Sequence, residues 1–366
     1  MNKARKLLII MMTLIFTFPI LCYGSPVKEQ NSANSSEEEV VSFIEKLFID
    51  RNKAILNQDL SIVQHIYNKK TKYGQWAYEY EEQKMKYIQN WGEKQGVKFI
   101  DITPDILIRR VKVGETSASI SLSCSTAYKY VYEGEEDINC CRIGTYHIIQ
   151  LIKKEGNWII TKEWYKDPFG DSLNLQKLKT DSIKEYILAQ KPRDFSDLKE
   201  RRKKCAQYGL DYCGAGNDEG TGFNYNKKYR NYNSEGGDCA NFASQMLHEG
   251  AGFKMNSSWN VDSKGAATRS WVNADGFKDY MIYSGRASVI SYGNYEKVYK
   301  ASYKLLPGDF VAYEKKGDIT HISMVTGADS KGYTLVTCHN TDRREVPWDL
   351  GWSNTNIKYW LVRVHH

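Results

Sequence analysis

One cysteine lies in a segment with the features of a reactive thiol. Residues 235–248 read EGGDCANFASQMLH, and from Cys239 onward the apolar residues recur at helical spacing. The glycine pair permits close backbone approach, and Asp238 is a favourable N-cap. A thiol in the first helical turn lies near unpaired N–H groups and the positive end of the helix dipole, which favour the thiolate. The pattern predicts a nucleophile at Cys239; a structural or disulfide-bonded cysteine is the alternative.

A histidine in a strongly apolar strand is the second candidate for chemistry. His321 lies in the segment DITHISMVTG, and a predicted turn at residues 329–332 leads into the next strand. Counting outward from that turn places His321 opposite Cys338 or His339. A base that is oriented by a further polar group and lies beside a helix-N-terminal thiol is typical of nucleophilic acyl transfer. A histidine that only fills the core is the alternative.

These segments, taken in chain order, resemble a known family. The motifs are GGDCANFASQ, LLPGD, DITHISMVTG and HNTDR followed by a proline-tryptophan pair. They are similar to the putative amidase domain family of secreted bacterial proteins, which resembles the papain-like NlpC/P60 and CHAP cell-wall hydrolases. The resemblance covers residues 196–366. It implies a papain-like cysteine hydrolase domain with Cys239 as nucleophile and His321 as general base and acid.

The third member of the site has three candidates. The family pattern favours His339, whereas papain itself would suggest an amide, which Asn340 offers. Strand alternation places these two side chains on opposite faces, so only one of them can serve. Asp342 is the candidate if the fold is transglutaminase-like. We prefer His339.

Further residues are expected to support or surround these groups. Asp238, Asn241 and Gln245 are expected to cap the helix and support the site, with the oxyanion bound by the Cys239 N–H and one more donor. The aromatic residues that could line a substrate cleft are Trp259, Trp271, Trp348 and Trp352. Core packing is the alternative for each tryptophan.

The remaining pattern predicts an α+β protein built from two domains. Residues 37–168 begin with amphipathic helices and continue with four strands of period two, which predicts an antiparallel sheet. This order resembles the cone of nuclear-transport-factor-2-like (NTF2-like) proteins. A linker helix is expected within residues 169–195, and the papain-like domain over residues 196–366. Length alone favours two domains.

The first residues predict export. Residues 1–24 combine a basic start with an apolar run and end on a small residue, as secretory signal peptides do, and residues 25–36 are expected to be a disordered leader. We expect a secreted or wall-associated protein without a transmembrane span in its mature form. Its net charge of +7 is dispersed, which suits an anionic wall surface but argues against nucleic-acid binding.

Together these patterns predict a secreted amide hydrolase that acts through an acyl-enzyme. Its expected substrate is a peptide stem of peptidoglycan, and no cofactor or metal ion is required. Scattered cysteine spacings argue against structural zinc, and an odd number of cysteines after signal removal predicts at least one free thiol. A non-catalytic wall- or ligand-binding module that retains a papain-like shell is the alternative function.

Overall fold

The computed structural model describes residues 29–169, 178–216, 223–352 and 355–366, with side chains from residue 36. The α-helices are α1 (Glu29–Asn57), α2 (Lys72–Gln95), α3 (Thr180–Leu188), α4 (Glu200–Tyr212), α5 (Cys239–Gln245), α6 (Arg269–Val272), α7 (Ala274–Tyr283) and α8 (Tyr295–Ser302). The strands are β1 (Val97–Val113), β2 (Ser117–Tyr132), β3 (Asn139–Lys154), β4 (Asn157–Trp164), β5 (Ala287–Gly293), β6 (Phe310–Lys315), β7 (Asp318–Ala328), β8 (Thr334–Cys338), β9 (Arg343–Pro347) and β10 (Lys358–Val364).

Helices followed by an antiparallel sheet form the first half, as predicted. The apolar stripe of α1, which includes Val40, Ile44 and Leu47, is buried against residues of β2, β3 and β4. Helix α2 begins at Thr71, whose hydroxyl accepts a hydrogen bond from the Gly74 N–H at 3.2 Å. The alternating burial along β2 has the expected period of two. The mixed helical and antiparallel fold class is therefore confirmed.

Several predicted boundaries differ from the structure. Residues 29–36 of the expected disordered leader belong to α1, because nothing in EQNSANSS breaks a helix. Within the region predicted to begin with helices, residues 60–66 form two short 3₁₀ turns. In the second half, α6 and α7 are separated at Asn273, whose side chain caps α7 by accepting from Gly276 N–H at 2.9 Å. The signal peptide at residues 1–24 and the beginning of the linker helix lie outside the described residues.

The strands of the two halves form one sheet. Its order is β1-β2-β3-β9-β8-β7-β6-β10-β5, and β4 also pairs with β3. The junction is short: Arg142 pairs with Arg344 and Ile143 pairs with Arg343, joining β3 to β9. Since every pairing in the sheet is antiparallel, the second half continues the first without a break.

A buried core lies across this junction. Tyr87 and Trp91 of α2 belong to the same apolar cluster as Trp348 and Tyr359 from the second half. The ammonium group of Lys94 forms an ion pair with Asp349, with both side chains fully buried. The two halves are thus joined by apolar packing and by a buried charge pair. No helix in the described ranges is long and apolar enough to cross a membrane.

Candidate functional site

A glycine pair positions the start of α5. Gly236 and Gly237 have φ angles of 110° and 128°, in the region that L-residues with side chains rarely adopt. A β-carbon on Gly237 would lie 2.7 Å from the Asn340 amide nitrogen. The expected close approach is therefore present, and the neighbouring segment is the turn that follows β8.

Cys239 is almost fully buried at the first residue of α5. Its side chain is 7% exposed, and its sulfur accepts a hydrogen bond from the backbone N–H of Ile322. Burial raises the pKa of Cys239 to about 12, although the Ile322 N–H acts in the opposite direction. The expectation of a stabilised thiolate is therefore wrong for this conformation. The cost of desolvating a thiolate outweighs the stabilisation that it receives from the N–H groups of a seven-residue helix.

His321 contacts a different thiol. Its Nε2 lies 3.1 Å from Cys338 Sγ, so of the two partners predicted from the hairpin, the structure selects Cys338. The ring packs beside the stacked pair of Tyr313 and Trp352, with centroid distances of 5.7 and 5.3 Å. Burial, together with the positive charge of Arg343, lowers the pKa of His321 well below its usual value. The imidazole is therefore neutral at pH 7.

The alternation of β7 explains this choice of partner. Ile322 belongs to the core cluster that contains Cys239 and α5, whereas Tyr313, the cross-strand neighbour of His321, belongs to the other cluster. Side chains of successive strand residues point to opposite faces. Cys239 and His321 therefore lie on different faces of β7: His321 contacts Cys338, and the Cys239 sulfur reaches the backbone N–H of Ile322, the residue next to His321.

His339 does not orient His321. Its Nδ1 lies 2.6 Å from an Asp238 carboxylate oxygen, and its Nε2 lies 2.7 Å from the Tyr212 carbonyl oxygen. The ring is stacked between Phe242 and Tyr225, with centroid distances of 3.7 and 3.9 Å. Both ring nitrogens thus face acceptors outside the predicted triad. His339, the preferred third member, instead links the end of β8 to the segment before α5 through its contact with Asp238.

The two other candidates for the third member lie around His339. Asn340 has a φ of 71° and abuts Gly237. Asp342 accepts a hydrogen bond from the Tyr225 hydroxyl at 2.6 Å, and burial raises the pKa of this carboxyl group to about 6. Because Tyr225 also stacks on His339, Asp342 supports the His339 side chain rather than His321.

The supporting polar residues are buried and hydrogen-bonded. Asp238 occupies the N-cap position but makes no capping bond; its carboxylate accepts from the Tyr232 N–H and the Asn241 amide, each at 2.9 Å. Asn241 also accepts from the Trp271 indole at 2.8 Å. Gln245 accepts from the Tyr208 hydroxyl at 3.0 Å. All three side chains are thus held by hydrogen bonds around α5, and Asp238 does not make the predicted capping bond.

Three of the tryptophans do not line a cleft. Trp259, Trp271 and Trp348 are 0% exposed, so none of them can touch a substrate in this conformation. Trp259 and Trp271 pack on each other with a centroid distance of 4.7 Å. The core alternative is correct for these residues, and Trp352, which is partly exposed beside His321, is the exception.

Arg343 is a charged neighbour of the site that no strand pattern in the sequence indicates. Arg343, the first residue of β9, is the cross-strand partner of Cys338, and its guanidinium lies 5.0 Å from the centre of the Trp352 ring. Its side chain is 3% exposed, and neither Nε nor Nη1 has a hydrogen-bond partner among the described residues. The DRRE sequence around it carries no strand pattern, so only the HNTDR motif pointed to this position.

Alkylation of Cys239 is expected to be slow at neutral pH. With a pKa of about 12, the thiol gives little thiolate at pH 7, and its rate with iodoacetamide should rise steadily up to pH 10. Peptide mass spectrometry of pH-jumped samples measures this rate. The urea-unfolded chain, with a cysteine pKa of about 8.5, is the control. A fast rate that is constant between pH 6 and 7 would instead establish a thiolate–imidazolium pair.

A family model agrees with the second half of the chain. The model described as Putative amidase domain matches residues 199–362, somewhat less than half of the 366 residues. This match confirms the expected amidase domain and indicates amide hydrolysis in general terms. Among curated proteins, none matches the chain.

Some solved structures are similar to parts of the chain at low scores. The intermembrane space region of the chloroplast protein ARC6 is 12% identical, with 36% of this chain and 94% of that chain covered and a TM-score of 0.25. An NTF-2 like protein of unknown function from Shewanella oneidensis is 14% identical (35% and 98% covered, TM-score 0.21). Rv3472, of unknown function, from Mycobacterium tuberculosis is 13% identical (45% and 94% covered, TM-score 0.25). At these scores the similarity supports no conclusion about fold.

Proposed function

We propose that residues 196–366 form a cysteine-dependent amide hydrolase in which Cys239 is the nucleophile and His321 the general base and acid. One observation carries the proposal: within the segment that matches an amidase domain, the Cys239 sulfur accepts from the N–H of Ile322, the residue next to His321, whose Nε2 lies 3.1 Å from Cys338 Sγ. A cysteine at a helix start, followed by a histidine on an antiparallel strand, is also the order expected of a papain-like domain.

The chemistry requires one rearrangement. Because the two side chains lie on different faces of β7, His321 must change both its partner and its face: when substrate is bound, Nε2 leaves Cys338 and contacts Cys239, and this hydrogen bond forms only in the substrate complex. His321 then takes the Cys239 proton, and the sulfur attacks the amide carbonyl carbon. The leaving amine receives that proton from His321, and a thioester remains. Water, deprotonated by His321, attacks the thioester and releases the carboxylate product with the free thiol.

Neutral starting groups suit a general-base step. Burial disfavours the charged forms of both Cys239 and His321, so proton transfer is coupled to attack rather than completed beforehand. The developing oxyanion needs at least one donor, which typically contributes about 3–4 kcal/mol. The N–H of Cys239 is the donor that we assign, since it lies at the unpaired end of α5.

The proposed setting is the bacterial cell wall. A signal peptide at residues 1–24 would export the chain, and a dispersed net charge of +7 suits the anionic wall. Peptide stems of peptidoglycan are then the substrate, cut at an amide bond. The relationship to NlpC/P60 and CHAP hydrolases is part of this proposal.

Three alanine variants of the full chain test it. With purified peptidoglycan as substrate, Cys239→Ala and His321→Ala should each lower the release of new amino groups by roughly 10⁴-fold or more. Cys338→Ala is the matched control, because it removes an equally buried thiol beside His321, and it should stay within about tenfold of wild type. Loss of activity in Cys338→Ala with activity kept in Cys239→Ala would reassign the nucleophile.

A binding module is the second candidate function. The burial of the proposed catalytic residues favours a binding function over hydrolysis, because Cys239 and His321 are only 7% and 3% exposed. The same peptidoglycan assay separates the two functions. Sedimentation of the wild-type protein with peptidoglycan, without any release of amino groups, would support binding and contradict hydrolysis.

A further inference from the structure

Arg343 has the properties of a ligand-binding residue rather than of a structural one. Buried guanidinium groups are usually paired, because an uncompensated buried charge is strongly unfavourable. Here the side chain is 3% exposed, yet Nε and Nη1 have no partner among the described residues. These N–H groups lie on different sides of the planar guanidinium, so a carboxylate oxygen can accept a hydrogen bond from either of them.

The position of Arg343 links it to the proposed site. Arg343 lies directly across from Cys338 in the β8–β9 pair, and side chains of such cross-strand partners are adjacent on one face. Cys338 in turn contacts His321. The guanidinium therefore lies near the imidazole that we assign as general base, with Cys338 as their common neighbour.

The aromatic neighbour of Arg343 offers a donor as well. Trp352 packs against both the Arg343 guanidinium and the His321 ring. Its indole N–H is buried and has no hydrogen-bond partner among the described residues. This cluster, Arg343 with Trp352, presents N–H donors that find no acceptor in the part of the chain that the structure describes, and such donors suit an anion.

We propose that Arg343 and Trp352 form a carboxylate-binding subsite, so that the favoured substrates carry a free carboxylate beside the scissile amide. The inference rests on the proposed hydrolase function for its meaning, but the binding itself does not need turnover. The bound carboxylate neutralises the charge of the Arg343 guanidinium near His321. The same carboxylate holds the scissile amide of the substrate next to the His321 imidazole. Peptide acids are therefore preferred to peptide amides.

Binding is measured first, on full-length Cys239→Ala protein that cannot turn substrate over. N-acetylglycine and N-acetylglycinamide, which differ only in the carboxylate, are titrated and followed by ligand-observed NMR. We expect the acid to bind about 10- to 100-fold more tightly than the amide, which is the range for hydrogen bonds to a charged group. Equal affinity for the two ligands would overturn the proposal.

Variants on β9 then locate the effect. Arg343→Gln should abolish the preference for the acid, while Arg343→Lys, which keeps the charge but not the planar fork, should retain part of it. Arg344→Gln is the matched control: the next residue bonds the Leu210 carbonyl instead, and its variant should keep the full preference. A preference that survives in Arg343→Gln would overturn the proposal. If that variant does not fold, Arg343→Lys and the wild-type ligand pair decide the outcome.

Binding and hydrolysis fail independently. A preference for N-acetylglycine in a protein that releases no amino groups from peptidoglycan would uphold the subsite and contradict the hydrolase. Hydrolysis of peptide acids and peptide amides at equal rates would uphold the hydrolase and contradict the subsite.

Discussion

A chain that begins at Ser196 and contains every residue of the proposed site is expected not to fold. Removing the first half exposes Trp348 and Tyr359, which now share a core with α2. It also turns β9 into an edge strand, because β3 is its neighbour on one side. An exposed apolar face combined with a free strand edge favours aggregation over a stable fold.

Buried polar groups add to this effect. Asp349 would lose Lys94, its buried ion-pair partner, and Asp329 would lose the hydroxyl groups of Tyr130 and Tyr132, which lie 3.1 and 2.6 Å from its carboxylate. Removal of one partner from a buried charge pair typically costs about 3–5 kcal/mol. A loss of this size is a large fraction of the total free energy of unfolding of a typical domain.

Circular dichroism and urea unfolding of the two chains measure this result. The matched control begins at residue 29 and keeps both halves, and it should unfold cooperatively. Adding separately expressed residues 29–195 should restore structure to the shorter chain, because the lost contacts lie between the fragments. A cooperative unfolding transition for residues 196–366 alone would show that the second half folds without the first half.

Replacing Asp238 by alanine is expected to lower the free energy of unfolding by about 3–5 kcal/mol. The carboxylate is 1% exposed and serves three partners: His339, the Asn241 amide and the Tyr232 N–H. Alanine leaves these groups buried without an acceptor. Since Asp238 immediately precedes Cys239, amide hydrolysis should fall as well.

Two further measurements make the Asp238 result specific. Asp238→Asn keeps the volume and one carbonyl oxygen, so it should lose less stability than Asp238→Ala in the same urea titration. Asp262→Ala is the matched control, because this exposed aspartate also accepts from two backbone N–H groups, each at 2.8 Å. A loss at Asp238 no larger than the loss at Asp262 would contradict the assignment.

The sequence predicted features that depend on local periodicity. Strands β1 and β2 belong to the antiparallel sheet that was predicted for residues 37–168, and the hairpin count placed His321 beside Cys338 or His339, of which Cys338 is its actual neighbour. In both cases period two and a short turn determine the register. The same counting could not show that His339 is taken by Asp238 and the Tyr212 carbonyl, because those partners arrive from distant parts of the chain.

Burial was the main property that local pattern could not supply. Tryptophans at helical or loop positions look the same in sequence whether they line a cleft or, like Trp259 and Trp271, fill a core. The helix start at Cys239 was predicted correctly, but its effect on the thiol was not, since desolvation depends on the whole fold. Strand β9 was missed because five residues rich in charge have no alternating pattern.

The short pairing between β3 and β9 has a thermodynamic consequence. Arg343 has Cys338 as its neighbour on one side and Ile143 from the first half on the other. If the docking of the first half changes the affinity of Arg343 for a carboxylate, then that carboxylate must change the docking equilibrium by the same free energy. The ligand and the first half are then reciprocal effectors, so that carboxylate binding at Arg343 and the pairing of β3 with β9 affect each other equally.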